Sequence, residues 1–175
     1  MDQSTLESSV EYNALAEREG WHSICFTDTH FSGAKLDALL AIWRNLPAAD
    51  GIPRRKDLTP QLLRAHLAEI AIYERLAGAD GRARWRARIM GAKFTEVLGD
   101  FHGKFFDEAM APQFLKRWQA APEAVLKARA PLRFVSRSET ADKGFITGEY
   151  LMAPLIGDDG GLNAVLSAAE FRPTY

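Results

Sequence analysis

Cys25 is the only cysteine in the 175 residues, which excludes an intramolecular disulfide and any zinc site built on paired thiolates. The four histidines, His22, His30, His66 and His102, include no i, i+4 pair and no HExxH frame, so a histidine-built metal centre is not expected. No apolar run approaches the ~18 residues that cross a bilayer. The N-terminal stretch MDQSTLESSVEYNALAEREG is polar and acidic, where a secretory signal would be basic and then apolar. Repeats and low-complexity tracts are absent. So is an excess of one charge: 22 Lys and Arg against 23 Asp and Glu leave a net charge of −1. No global field therefore draws the chain to nucleic acid or to an anionic membrane. These absences point to a cytoplasmic protein of one domain plus an extension, long enough to bury roughly 70% of its unfolded surface.

What is present is organised around Arg82–Glu108. Arg82, Arg84, Arg86 and Arg88 alternate with Ala83, Trp85, Ala87 and Ile89, the period of a half-buried strand. One face is then all guanidinium, and Trp85, Ala87 and Ile89 share the inward one. Gly91 breaks the strand. Phe94, Val97 and Leu98 recur at helical spacing until Gly99, and a loop through His102 leads to Phe105 and Phe106. The arginines lie only ~7 Å apart along one face and repel unless neutralised. Carboxylates of Glu69, Glu74, Glu139 or Glu170 can do this across the sheet; a partner surface and a phosphate-backbone contact are the rival readings.

Residues 4–19 favour a helix whose thin apolar stripe runs through Leu6, Val10 and Asn13 or Ala14, with Gly20 ending it. Trp21–Phe31 allows a short extended piece. Ser32 is placed to cap a helix with Leu36, Leu39, Leu40 and Trp43 buried, and Thr59 before Pro60 to start a brief one. Arg54, Arg55 and Lys56 form a basic cluster that pairs with nearby carboxylates or, in a rival reading, binds an anion. Ala68–Arg75 and Arg82–Met90 read as a hairpin joined at LAGADG. Pro112 opens a helix with Phe114, Leu115 and Trp118, which Pro122 kinks or divides before Arg129. Three strands follow: Leu132–Glu139, Gly144–Ile156 and, after the GDDGG turn, Asn163–Phe171. The order β-β-α-α-α-β-β-β gives an α+β fold, an antiparallel sheet with helices on one face.

Several segments together resemble the single-domain PAS-like regulatory proteins of alphaproteobacteria. They are Trp43-Arg44, Ile52-Pro53-Arg54-Arg55 with Asp57 and Pro60, Trp85–Gly91, Leu98-Gly99 and Ala153-Pro154-Leu155. The resemblance spans roughly residues 35–171. It implies a five-stranded sheet and a helical wall around a small pocket, with residues 1–65 as an N-terminal helical extension and 66–175 as the sensor domain. It further implies a sensory or regulatory module that binds a small molecule or a signalling partner and performs no catalysis. Ala92 stands where the family has threonine, which removes a hydroxyl, and Gly99 and Gly103 are one residue closer than its pattern.

On this reading the ligand-binding set is Trp85, Ala87, Ile89, Phe94, Leu98, His102, Phe105, Phe106, Trp118 and Phe134. It suits a small apolar or amphipathic ligand lodged beside Ala87, the small residue between two large ones. The rival reading is a filled core that serves only as an interaction scaffold. No cofactor is identified. Haem is not expected, because the resemblance would draw its axial histidine from residues 112–129, which contain none. Flavin–cysteine chemistry is not expected either, since Cys25 lies far ahead of the pocket segments. A homodimer is a further expected assembly, and no nucleic acid or membrane is. A small hydrolase or isomerase using His30 with Asp28, or His102 with Asp100 or Asp107, is the last alternative; no GxSxG nucleophile motif accompanies them.

Overall fold

Tyr150–Ile156 is apolar at every position, and a strand of that composition must be covered on both faces. In the computed structural model, which describes residues 2–140 and 144–174, that segment lies inside a six-stranded antiparallel sheet. Along the chain come α1 (Gln3–Arg18), β1 (Ser23–Phe26), α2 (Ala34–Asn45) and a small ribbon of β2 (Ala48–Ala49) and β3 (Ile52–Pro53). Then follow β4 (Ile70–Ala77), β5 (Ala83–Met90), α3 (Ala92–Leu98), α4 (Phe106–Ala109) and α5 (Pro112–Ala128). The chain finishes with β6 (Leu132–Thr140), β7 (Gly144–Ile156) and β8 (Leu162–Thr174). The spatial order is β1-β6-β7-β8-β4-β5. The α+β architecture and the run of two strands, three helices and three strands are as the sequence indicates. The sixth strand, β1, comes from the Trp21–Phe31 segment and adds to the five expected.

Alternation along β7 sends Tyr150 and Met152 to one face, and Leu151, Ala153 and Leu155 to the other. The first face packs under α3, α4, α5 and α1. The second takes Leu36, Leu39, Leu40 and Trp43 of α2, whose indole Nε1 donates to the Pro154 carbonyl at 2.9 Å. The expectation of helices on a single face thus holds for α3–α5, while α2 seals the opposite side. No helix among the described residues is long and apolar enough to cross a membrane.

A β-bulge corrects the reading of β5. Ile72 stands opposite Ile89 and Tyr73 opposite Ala87, so Arg88 is an extra residue without a partner position on β4. Alternation slips there by one. Trp85 and Ala87 remain on the first face, but Ile89 turns to the second core, and Met90 takes its place. Just beyond, Gly91 is obligatory: a Cβ would collide with the carbonyls of Leu67 and Ala68, and its N–H donates to Ile70 at 2.7 Å.

Both sheet edges are occupied. Outside β5, Ala87 exchanges backbone hydrogen bonds with the following loop, donating to Lys104 (3.1 Å) and accepting from Gly103 (2.7 Å). Outside β1, α1 supplies side chains instead of backbone. Asn13 grips Cys25 twice, accepting from its N–H at 2.8 Å and donating to its carbonyl at 2.9 Å, where Ser9 also donates. The buried side of α1 is accordingly Thr5, Ser8, Ser9, Tyr12 and Ala16. Leu6 and Val10, the apolar stripe of the sequence pattern, are 50% and 58% exposed instead. A helix that docks on a strand edge needs hydrogen-bonding side chains there, not an apolar ridge.

Three local expectations also change. Gly33, not Ser32, caps α2, and Ser32 bonds Glu149 through both its N–H and its hydroxyl. Thr59 Oγ1 does accept from Leu62 N–H at 3.3 Å, yet residues 60–66 form only turns. With Leu62 and Leu67 exposed and Leu63 alone buried, too little apolar contact supports helix propagation there. Pro122 neither kinks α5 into two elements nor ends it; the helix runs through it to Ala128.

The arginine row is neutralised within the fold. Arg84 binds Asp107 (2.6 Å) and Glu108 (2.7 Å), and Arg86 and Arg88 share Glu74 at 2.7 and 2.5 Å. Arg88 also reaches Asp158, which Arg55 of the basic cluster holds at 2.7 Å. Of the carboxylates foreseen, Glu74 serves this purpose. Glu69 pairs with Lys35, Glu170 stands opposite Glu149 on the β7–β8 ladder, and the Glu139 side chain lies outside the described residues. Arg82 is exposed, with Asp80 3.8 Å away.

Two measurements follow from these contacts. Asn13→Ala leaves two backbone groups of Cys25 unmatched at the edge, and chemical denaturation should register a loss of about 1–3 kcal/mol; an unchanged midpoint would refute the edge-capping role. Glu74→Gln should cost about 1–3 kcal/mol at neutral pH. Burial works to raise the Glu74 pKa, but the hydrogen bonds from Arg86 and Arg88 outweigh it and hold the carboxyl below its ordinary 4.5. The stabilisation is therefore complete above that value and is lost as acid titrates the group through its lowered folded pKa. The gap between wild type and variant should close on acidification; a gap constant with pH contradicts the assignment.

Candidate functional site

The first face of the sheet carries a continuous layer of aromatic rings. Tyr73 meets Phe106 edge-on at 5.1 Å and Trp118 at 6.5 Å, and Trp118 meets Tyr150 at 6.2 Å. Phe171 continues the layer to Phe94, both 5.8 Å steps from their neighbours, and Tyr12 of α1 abuts Phe134 at 5.0 Å. Edge-to-face contacts of this kind favour a fixed geometry beyond simple burial.

At the end of this layer, where α1 and α5 converge over β1, β6 and β7, lies a cavity of about 30 Å³. A water needs about 10–15 Å³ on this measure, so two or three heavy atoms fill it. Trp118, Phe134, Met152 and Ala121 form its apolar walls. Its polar groups are Tyr12, Ser23, Arg117, Ser136 and Tyr150. Tyr12 and Ser23 share a hydrogen bond of 2.8 Å, whereas the buried Ser136 hydroxyl has no partner among the described residues. Burial raises the pKa of both Tyr12 and Tyr150, opposed in each by the nearby Arg117 charge, and for Tyr12 also by its Ser23 bond. Both phenols are therefore neutral hydroxyl donors near neutral pH. Gly148 makes room for Tyr150: a Cβ there would stand 2.6 Å from the ring.

The residues singled out in the sequence divide among several places. Trp118 and Phe134 border the cavity. Trp85, Ala87, Phe94 and Phe106 are buried in the aromatic core beside it, with Leu98 partly buried at its margin. Trp85 Nε1 donates to Glu123 at 3.0 Å. Ile89 belongs to the second core because of the Arg88 bulge. His102 is exposed in its turn, its backbone N–H on Asp100 at 3.0 Å. Phe105 faces outward beneath the Arg84 guanidinium, 3.9 Å from the ring centre. Of the suggested catalytic pairs, His30 and Asp28 sit on the surface, 3.5 Å apart, with His30 95% exposed.

Sequence reasoning passed over Tyr12, Ser23, Arg117, Ser136, Tyr150 and Met152. Tyr150 and Met152 carried a usable signal, since they alternate with Gly148 on one strand face. The others come from four separate elements, and no local pattern joins them. Cys25, the neighbour of Ser23 by two positions, is buried on β1 with its thiol pushed up to about 12 by burial. Among the described residues no group of three or more His, Cys, Asp and Glu is arranged to hold a metal ion.

A search of curated proteins finds no match. One solved structure, described as that of an RNA-binding Light-Oxygen-Voltage receptor, aligns at 14% identity with a TM-score of 0.42. The alignment covers 72% of this chain and 36% of that one, so the present chain spans little more than a third of that protein's length. A family model described as a PAS domain matches residues 31–168, most of the chain, from the loop before α2 to β8. The chain belongs to the PAS domain family.

Proposed function

We propose that this PAS domain is a sensory or regulatory module whose small-molecule site is the cavity between α1, α5 and the sheet, and that it works by binding and not by catalysis. The observation that carries the reading is the origin of Tyr12 and Ser23. Both precede the matched region 31–168, yet they close the cavity formed by β6, β7 and α5. Filling or emptying the cavity therefore acts directly on how α1 and β1 are held. That supports treating residues 1–65 as an output-bearing extension and 66–175 as the sensor. The cavity lining contains no histidine or carboxylate among the described residues, so neither Ser23 nor Ser136 has a general base beside it. The small volume favours a ligand of a few atoms over the larger apolar one that the aromatic content suggests. The cytoplasm is the compartment we assign to this activity.

A second reading, docking of a second copy of the chain as the signalling partner, is favoured by a different observation. Leu6, Val10 and Ile24 are three large apolar residues more than half exposed on adjacent elements, α1 and β1.

Each reading has its own measurement. Ala121→Leu places extra atoms in the cavity opposite α1. Hydrogen exchange of α1 and β1 amides should quicken severalfold while β4 and β5 keep their protection; unchanged exchange in α1 would remove the proposed coupling. Leu6→Asp with Val10→Asp alters only exposed positions and should change stability by no more than about 0.5 kcal/mol. A fall in solution mass would support the docking surface, and an unaltered mass would dismiss it.

A further inference from the structure

The cavity has an unbalanced inventory of hydrogen-bonding groups, and that imbalance specifies a ligand. This step rests on the sensor reading above. Tyr12 and Ser23 spend one hydrogen on each other, which leaves one hydroxyl hydrogen of the pair available. The Ser136 hydroxyl is buried to more than nine-tenths and unpartnered among the described residues, on the same sheet face as Phe134 and Tyr150. Tyr150 adds a phenol, and the charge of Arg117 acts on both phenols, which places the guanidinium beside them. No carboxylate, histidine or amide side chain answers these donors from the lining.

A cavity with several donors, one positive charge and apolar walls is short of acceptors. Water satisfies such a site poorly, because each water brings two further hydrogens to place. A carboxylate-like group brings acceptors only, and its charge is matched by the guanidinium; charge-assisted bonds of this type are the strong ones. Size narrows the class further. About 30 Å³ excludes sugars, nucleotides, aromatic acids and dicarboxylates, and leaves room for three or four heavy atoms. Flatness narrows it again, since the Trp118 and Phe134 rings form two of the walls.

We propose that the cavity closed by Tyr12 is a binding site for a small planar monovalent oxyanion of the size of formate, nitrate or bicarbonate, held by Arg117 with the hydroxyls of Ser136, Tyr150 and the Tyr12–Ser23 pair. Binding would tie α1 to β6, β7 and α5 through one shared anion.

The test is titration of the full chain with sodium formate, nitrate and bicarbonate against sodium chloride at equal ionic strength. It is followed calorimetrically and by the near-UV difference spectrum of the tyrosines and Trp118. Saturable binding of at least one planar oxyanion, with no equal response to chloride, is expected. Ser136→Ala, Tyr150→Phe and Arg117→Gln should each weaken it roughly tenfold, the loss of one charge-assisted bond. Ser136→Ala removes a single buried hydroxyl, so its near-UV spectrum without anion serves as the check that the variant is folded. A response shared with chloride, affinity unchanged in Ser136→Ala and Arg117→Gln, or no saturation by any of the three anions would each overturn the proposal and leave a water-filled cavity. The Ala121→Leu exchange measurement uses no anion. If it loosens α1 while no oxyanion binds, the ligand class fails and the sensor reading stands; if α1 is unaffected, the sensor reading itself fails.

Discussion

An antiparallel sheet ends in two strands whose outer N–H and C=O groups must find partners or recruit another chain. Here the two edges are met by different means, and the rest of the molecule follows from that difference. At β5 the chain folds a loop back on itself, so Gly103 and Lys104 complete the ladder at Ala87 with backbone alone. At β1 no backbone is available, and an asparagine side chain, with the geometry of a peptide group, does the same work on Cys25. The first solution is rigid and local. The second depends on a helix more than ten residues distant in sequence being held at the correct rotation. Because α1 is drawn to that edge, its tyrosine is carried over the sheet face, and the cavity acquires a lid.

The faces are constrained in turn by the strands' composition. β7 and β8 are apolar on both sides, so a single layer of helices could not bury them. α2 meets that need, with the Trp43 indole bonded to Pro154 fixing its position. The bulge at Arg88 then becomes useful. It lets Arg86 and Arg88 both reach Glu74 on the second face while Ile89 joins the apolar cluster around Ile72. Four arginines on one strand remain compatible with folding because acids from α4, β4 and the β7–β8 turn take them up separately.

Much of this was legible in the sequence, and the limits are physical. Strand and helix periods locate β4–β8 and α3–α5 well, because those elements bury regular apolar faces. The Leu36, Leu39, Leu40 and Trp43 stripe was visible for the same reason. The face of α1 was not, because its partner is a strand backbone and the residues that matter are Ser9, Tyr12 and Asn13, which resemble solvated positions. The bulge escaped notice since no glycine or proline marks Arg88. The cavity escaped because its polar groups are far apart along the chain, at positions 12, 23, 117, 136 and 150, and only the crossing of elements unites them. Aromatic content correctly indicated a large interior, but the rings mostly fill one another's edges.

The single cysteine, first of note for the chemistry it excludes, has a different value once its place is known. Its side chain is sealed in the core of the strand that Asn13 grips, and burial keeps the thiol protonated at physiological pH. Such a group is inert to an alkylating reagent for as long as α1 stays seated, and it becomes reactive when the edge opens. The protein thus carries an internal clock for its own N-terminal latch, one chemical tick for every departure of the helix, with no label to introduce and no second thiol to confuse the count.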